Sequence, residues 1–359
     1  MTPFYITIIS TYIFCFFARI SYDKKFRNLA LFWVILTTLI LIVLSGLRKG
    51  VGDTYFYKHS FTILAQNPDS FKFEGDFALN LLSLIIINFT TEPQVLIFIA
   101  SLITNLVNMI MFNKYRSYLE LQVYIYITSG YYTVTMNGLR QCIAAALAFL
   151  CTYFIKKEKF LWYFLFIVLI SKFHNSALAL IPLYFVVKEK AWSKRMVIFM
   201  ILSIFTIVFY QIVSPLIFKM LDFINYSKYQ NFNEGGSSFM RVLVNSVPVI
   251  LAYIKRKELE EKWEESNIFV NMSIITLIFV ALGMFNWIYN RFSLYTQLYN
   301  FILIPYMIKN IFKGKEKRLL YIGAVICYFI FFYREQVLGL ELKYYSEYIN
   351  FIDIFYKIK

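Results

Sequence analysis

Apolar runs of helical length recur from one end of this chain to the other, separated only by short polar breaks. A run of about 20 apolar residues can cross a bilayer as an α-helix, because inside lipid every backbone N–H and C=O must find its partner within the segment. Repetition of such runs along 359 residues limits the chain to an all-α polytopic integral membrane protein with no large soluble domain. Charged residues agree, at 16% against about 25% in soluble domains. The short alternating segments of a β-barrel do not occur.

The runs predict about twelve spans. They lie near Pro3–Ile20, Leu29–Leu47, Val95–Phe112, Leu121–Asn137, Leu139–Ile155, Phe160–Ile170, Asn175–Val187, Met196–Ser214, Met240–Ile254, Ile268–Phe285, Phe292–Ile311 and Leu319–Tyr333. One further run, Phe77 to Thr90, is short and interrupted by Asn80, Ser83 and Asn88. It reads as an interfacial or re-entrant helix in the first large outer loop. If it does not cross, the basic clusters all fall on one face. They are Arg19/Lys24/Lys25/Arg27, Lys114/Arg116, Lys156/Lys157/Lys159, Lys188/Lys190/Lys194/Arg195, Lys255/Arg256/Lys257 and Lys309/Lys313/Lys315/Lys317/Arg318. Excess Lys and Arg mark the cytoplasmic side, so these loops are inside. The first run has its positive charge after it and reads as a retained span with the N-terminus outside. The expected organisation is one transmembrane domain over 1–359, with outer loops 48–94 and 219–239 and an interfacial tail 334–359.

The net charge of +15 would suggest nucleic acid in a soluble protein. Here the cations lie in loops between spans, where they set orientation and meet anionic lipid, so no nucleic acid is expected. The four cysteines, Cys15, Cys142, Cys151 and Cys327, sit in apolar runs without metal-ligand spacing. Two histidines, His59 and His174, are too few for a His-rich metal site. No Walker, Rossmann, His-Glu-x-x-His or Gly-x-Ser-x-Gly pattern occurs.

The opposite face carries the informative residues. Ser45 to Tyr57 breaks an apolar run with glycines and sets Arg48, Lys49 and Asp53 beside aromatics. The same face holds Arg140-Gln141, Lys172-Phe173-His174-Asn175 and Asn290-Arg291. A longer polar loop, Lys219 to Phe239, adds Tyr226, Tyr229 and Phe232. Lys and Arg are disfavoured on this side, so something should compensate them. Arg140, His174 and Arg291 each fall in, or one residue before, the first turn of an inward-running helix. A helix start presents unpaired N–H groups and partial positive charge, and a cation there wants an anion to complete the site. The plainer reading of each arginine is a side chain snorkelling to lipid headgroups. For Asp53 it is a cap on the following segment.

His174 beside Lys and Arg should have a depressed pKa, leaving a neutral imidazole able to accept a proton. Asp53 is the second candidate base. Aromatic faces near an outer site suit sugar rings, with Tyr55, Tyr132 and Tyr295 as candidates beside Gln141. Interface belts explain most tyrosines in a membrane protein, however, and 20% of this chain is aromatic. The tail after Arg334, with Tyr344, Tyr345, Tyr348, Phe351 and Phe355, is amphipathic and suits the outer interface.

Four motifs in order resemble the EpsG family, which belongs with the Wzy-type polymerases of bacterial surface polysaccharides. They are Arg48-Lys49-Gly50-Val51-Gly52-Asp53-Thr54-Tyr55, Leu139-Arg140-Gln141, His174-Asn175-Ser176-Ala177-Leu178 and Arg291-Phe292-Ser293-Leu294-Tyr295. The His-Asn pair is also similar to that of O-antigen ligases. The resemblance implies a GT-C-like membrane glycosyltransferase in the bacterial plasma membrane, with its active site on the extracytoplasmic face. It implies oligosaccharide repeat units on undecaprenyl diphosphate as substrates and lipid diphosphate as leaving group. It implies no nucleotide sugar, no cofactor and no metal, and a flippase and a chain-length regulator as further partners beside membrane lipid. On this footing Arg140 and Arg291 neutralise the diphosphate with Arg48 and Lys172 assisting, and His174 or Asp53 activates the acceptor hydroxyl. The alternatives are a flippase for lipid-linked oligosaccharide and an O-antigen-ligase-like transferase. A transporter should carry charge midway along its spans, whereas here charge gathers at span ends.

Overall fold

The computed structural model describes residues 1–224, 226–230 and 235–349, and is helical with no strand among them. The chain forms two compact units, one made of Met1–Leu147 with the chain from Gly314, the other of Ala148–Lys313.

The first unit is built on three long apolar helices, Thr2–Asp23, Arg27–Gly46 and Gln94–Lys114. At 1.5 Å per residue, 20 residues give about 30 Å, the thickness of a hydrocarbon core. Hydroxyls in these runs are satisfied locally: Thr7, Thr11, Thr37 and Thr38 each donate to the carbonyl four residues earlier. That lets polar side chains sit in apolar surroundings without an orphaned group. At the basic end, Glu120 is fully buried and takes both oxygens' bonds from Arg19 Nε, at 2.9 and 3.1 Å. Tyr321, on Gly314–Phe332, donates to the same carboxylate at 3.3 Å.

The run Phe77–Thr90 folds as the helix Ala78–Ile87. Its 10 residues give about 15 Å, half of what crossing requires. The expected span Leu121–Asn137 is divided. Leu119–Thr128 stops, Gly130 turns the chain at φ +81°, and Tyr131–Asn137 begins anew. A Cβ on Gly130 would stand 2.6 Å from Gln336 Nε2, so tail and turn interlock there. The described tail docks back on this unit. Tyr344 donates to the Leu44 carbonyl at 2.9 Å, Lys49 N–H donates to the Tyr345 carbonyl at 2.8 Å, and Lys49 pairs with Glu347. Phe351 and Phe355 lie outside the described residues.

In the second unit Ser266–Leu282 is buried on nearly every side and is the packing centre. A helix apolar all round has no face to give to water. Phe239–Ile254, Ile288–Thr296 and Asn300–Asn310 pack on it. The expected span Phe292–Ile311 is broken by a 3-10 turn at Gln297–Tyr299, where the polar residues Thr296, Gln297 and Asn300 interrupt the apolar run. The expected span Met196–Ser214 is bent by 111° between Lys194–Val208 and the helical segment that follows. The basic loops of this unit meet acidic partners, Lys156 with Glu265, Lys190 with Glu260 and Arg195 with Glu189.

Among the described residues five helices are long and apolar enough to cross a membrane, or six if the bent pair counts as one span. Five further apolar stretches, Ala78–Ile87, Phe160–Ile170, Asn175–Val187, Phe239–Ile254 and Ser266–Leu282, fold as shorter helices. A glycine at Gly130 and polar residues at Thr296–Gln297 cut runs that hydropathy alone joins.

Candidate functional site

Arg27–Gly46 ends where Gly46 lies against the next long helix. A Cβ there would meet Phe98 at 2.7 Å. Arg48 follows, and it does not face outward. Its side chain is fully buried. Nε donates to Thr54 Oγ1 at 2.9 Å, one terminal nitrogen to Met136 O at 2.8 Å, and the other to Ser45 O and Ser101 Oγ. Ser45 and Met136 are last-turn residues of two helices, whose carbonyls lack intrahelical partners and carry partial negative charge. The guanidinium therefore caps two helix C-termini at once. Burial pushes its pKa down to about 10, still cationic at neutral pH. Arg48 was expected to assist at a diphosphate; two helix ends supply the compensating charge, so it holds the turn instead.

The turn that Arg48 holds positions Asp53. Gly52 adopts φ +55°, a conformation open to glycine, and a Cβ would stand 2.5 Å from Asn137 Oδ1. That oxygen accepts the Asp53 N–H at 2.9 Å. Asp53 precedes the helix Thr54–Gln66 at its N-cap position, yet its carboxylate makes no capping bond and no ion pair with Arg48 among the described residues. It remains partly exposed.

Leu139–Leu150 starts two residues after Asn137, with Arg140 in its first turn. Arg140 is partly exposed and lies 3.5 Å from Asp76 Oδ1, while its buried Nε has no hydrogen-bond partner among the described residues. Tyr57, one turn after Asp53, lies near both. Burial raises its pKa, the positive charge of Arg140 opposes the rise, and Asp53 adds to it. Asp53, Tyr57, Asp76 and Arg140 thus form one cluster. Tyr57 was legible as the i+4 neighbour of Asp53 on a helix; Asp76 comes from a loop with no signal of its own.

In the second unit His174 caps the turn Asn175–Ala179. Its Nδ1 lies 2.7 Å from Ser176 Oγ, which lies 2.8 Å from Tyr295 Oη. The Ser176 N–H reaches Nδ1 at 3.4 Å, a weaker contact. Tyr295 follows Arg291 by four residues on Ile288–Thr296, so the two share a helix face. The Arg291 guanidinium stands 4.8 Å over the Trp287 ring. Tyr226, from the polar loop, meets the His174 ring edge-on at 6.3 Å and Phe292 at 5.2 Å. Asn286 Nδ2 donates to Tyr229 O at 2.9 Å, and Ser237 N–H to Gly283 O at 2.8 Å, so the described parts of the loop are packed down here. Phe232 lies outside the described residues. Lys172 sits in the turn before His174, and its ammonium has no partner among the described residues.

The sugar-contact candidates divide. Tyr55 is 68% exposed and stacks on His59 with rings 5.9 Å apart. Tyr132 is fully buried and donates to the Leu41 carbonyl at 2.7 Å, so it is a core residue rather than a platform. Gln141 is buried too, and buried Tyr295 offers its hydroxyl to Ser176 rather than an open ring face. Among the described residues no three His, Cys, Asp or Glu side chains gather as metal ligands would.

A family model described as the EpsG family matches residues 30–350, nearly the whole chain and all of the residues above. The chain belongs to the EpsG family. EpsG is a Wzy-type polymerase family, so a polysaccharide-polymerase role of glycosyltransferase type comes with membership. No curated protein and no solved structure matches this EpsG-family chain.

Proposed function

We propose that this EpsG-family protein polymerises undecaprenyl-diphosphate-linked oligosaccharide repeat units at the outer face of the bacterial plasma membrane. The acceptor's hydroxyl oxygen attacks the anomeric carbon of the growing glycan. The bond from that carbon to the lipid diphosphate breaks, and the diphosphate leaves with the electron pair. The hydroxyl proton goes to His174.

The observation that carries this reading is the state of Arg140. It is a helix-start guanidinium with one partly exposed carboxylate nearby and an unused Nε. A developing diphosphate charge in a low-dielectric site is stabilised most by cations already in place. Arg291 and Lys172 are the second unit's candidate cations for the diphosphate, and Asp53 orients the acceptor or replaces His174 as base. Ser176 and Tyr295 act as positioning residues. For Nε2 to keep the lone pair a base requires, the ring proton sits on Nδ1 facing Ser176 Oγ at 2.7 Å, at the expense of the weaker 3.4 Å cap contact from the Ser176 N–H. Tyr55 is the remaining exposed platform for a sugar ring.

The test is purified protein with a synthetic lipid-linked repeat unit, with and without chelator. A product ladder that survives chelator is the expected result. Transport of the unit across vesicles with no ladder would make the protein a flippase, and single transfer to a different acceptor a ligase.

A further inference from the structure

At the basic end of the first unit three of its long helices finish close together. They are the C-termini of Thr2–Asp23 and Gln94–Lys114 and the N-terminus of Arg27–Gly46. Between them lies a cavity of about 500 Å³ lined by Tyr22, Lys25, Arg27, Leu31, Asn113 and Arg116. Three of these six residues are cations and none is an acid. None of the three pairs with a carboxylate among the described residues. Arg116 lies 4.1 Å over the Tyr22 ring and donates to the Asn113 carbonyl, which fixes it at the rim. Asn113 Oδ1 is buried and has no hydrogen-bond partner among the described residues.

Two helix C-termini offset part of this charge. Three formal cations around one cavity still repel, and an anion would complete it. The neighbouring cavity, lined by Arg19, Lys317, Arg318 and Tyr118 among others, differs. There Arg19 is already bound to Glu120 and lies 3.7 Å from Asp23.

The lysine geometry adds weight. Lys25 sits at φ +64°, a left-handed conformation where glycine is the low-strain residue. The chain keeps a cation there instead. Just beyond the cavity Phe26, Leu29 and Phe32 are 60%, 47% and 50% exposed, as side chains facing acyl tails would be. An anion reaching this cavity beside such a surface carries its own hydrocarbon.

We infer that the cavity bounded by Lys25, Arg27 and Arg116 is a binding site for the phosphate headgroup of an anionic phospholipid. The three cations hold the phosphate, and Asn113 Oδ1 accepts from a headgroup hydroxyl. The site belongs to the basic end of the first unit and does not depend on the polymerase reading.

Binding of phosphatidylglycerol to the full chain in detergent, titrated by native mass spectrometry, tests this. Each cation removed should weaken binding about fivefold, so K25A/R27A/R116A should lose about a hundredfold. K317A/R318A should leave it unchanged. Lys25→Gly is the safeguard against misfolding. It removes one cation and relieves the left-handed strain, so the lipid-free melting temperature should hold or rise while lipid affinity falls. Wild-type affinity in the triple variant would overturn the assignment. So would equal binding of phosphatidylcholine, or displacement of the lipid by millimolar inorganic phosphate.

Discussion

The Arg140 cluster and the His174 cluster are built on opposite principles. Around Arg140 charge is left under-satisfied: one carboxylate at 3.5 Å, an unused Nε, and an Asp53 that caps nothing. Around His174 a chain of short hydrogen bonds runs from ring to serine to tyrosine. The first arrangement suits holding a charge that arrives; the second suits moving a proton. Arg48 sharpens the contrast from within the first unit. It is the most buried cation of the pair with Arg140, and helix carbonyls already occupy it. A cation's place beside a helix end is therefore no measure of its availability.

The largest effect expected is at His174. If the imidazole moves the proton, His174→Ala should lower polymer formation by about 10²–10⁴ with normal protein levels. Near-wild-type ladders from it would leave Asp53 as the base. Arg140→Ala should lower turnover by about 10²–10³, with Arg291→Ala similar and no loss of folded protein. Full-length polymer from either variant would remove that arginine from the site. Arg48→Met should act on the other axis. It strips two helix-end carbonyls of their donor and should destabilise by about 3 kcal/mol, read as a lower melting temperature and yield. The protein that does fold should turn over normally; a selective loss of turnover would return Arg48 to the substrate site.

Smaller changes test the relay. Ser176→Ala and Tyr295→Phe should each lower kcat about tenfold and shift its acid limb, since general-base efficiency follows the base's own pKa. An unchanged pH profile would make the serine and tyrosine packing groups only. The smallest effect concerns the tail. The pairing with Lys49 holds the Glu347 carboxyl below its ordinary range. A depressed carboxylate adds stability that is present above its unfolded pKa and lost as pH falls through the folded one. Glu347→Gln should therefore lower the melting temperature slightly at neutral pH and leave it unchanged at acid pH, where the carboxyl is already protonated, so the acid side of the profile flattens. No drop at any pH would mean the tail is held by Tyr344 and the Lys49–Tyr345 backbone bond alone.

Much of this was readable along the chain. Hydropathy located the long helices, and the short Ala78–Ile87 segment was recognisable by its polar interruptions. Arg140, His174 and Arg291 do fall at helix starts, because caps and first turns leave a local signature. Runs broken at Gly130, Phe209 and Gln297 were not separable, since a window of apolar residues averages over one turn-forming position. Tyr132 read as a platform by its neighbours, and only the Leu41 carbonyl above its hydroxyl shows it to be core.

By itself the sequence determined that this chain is helical, lives in a membrane, and carries the ordered motifs of its family, because those follow from composition and local spacing. Tertiary structure alone decided which cations are occupied and which are open. Whether a guanidinium has spare donors depends on carbonyls brought from distant segments, Met136 beside Arg48 for one, and no local pattern encodes where those will lie.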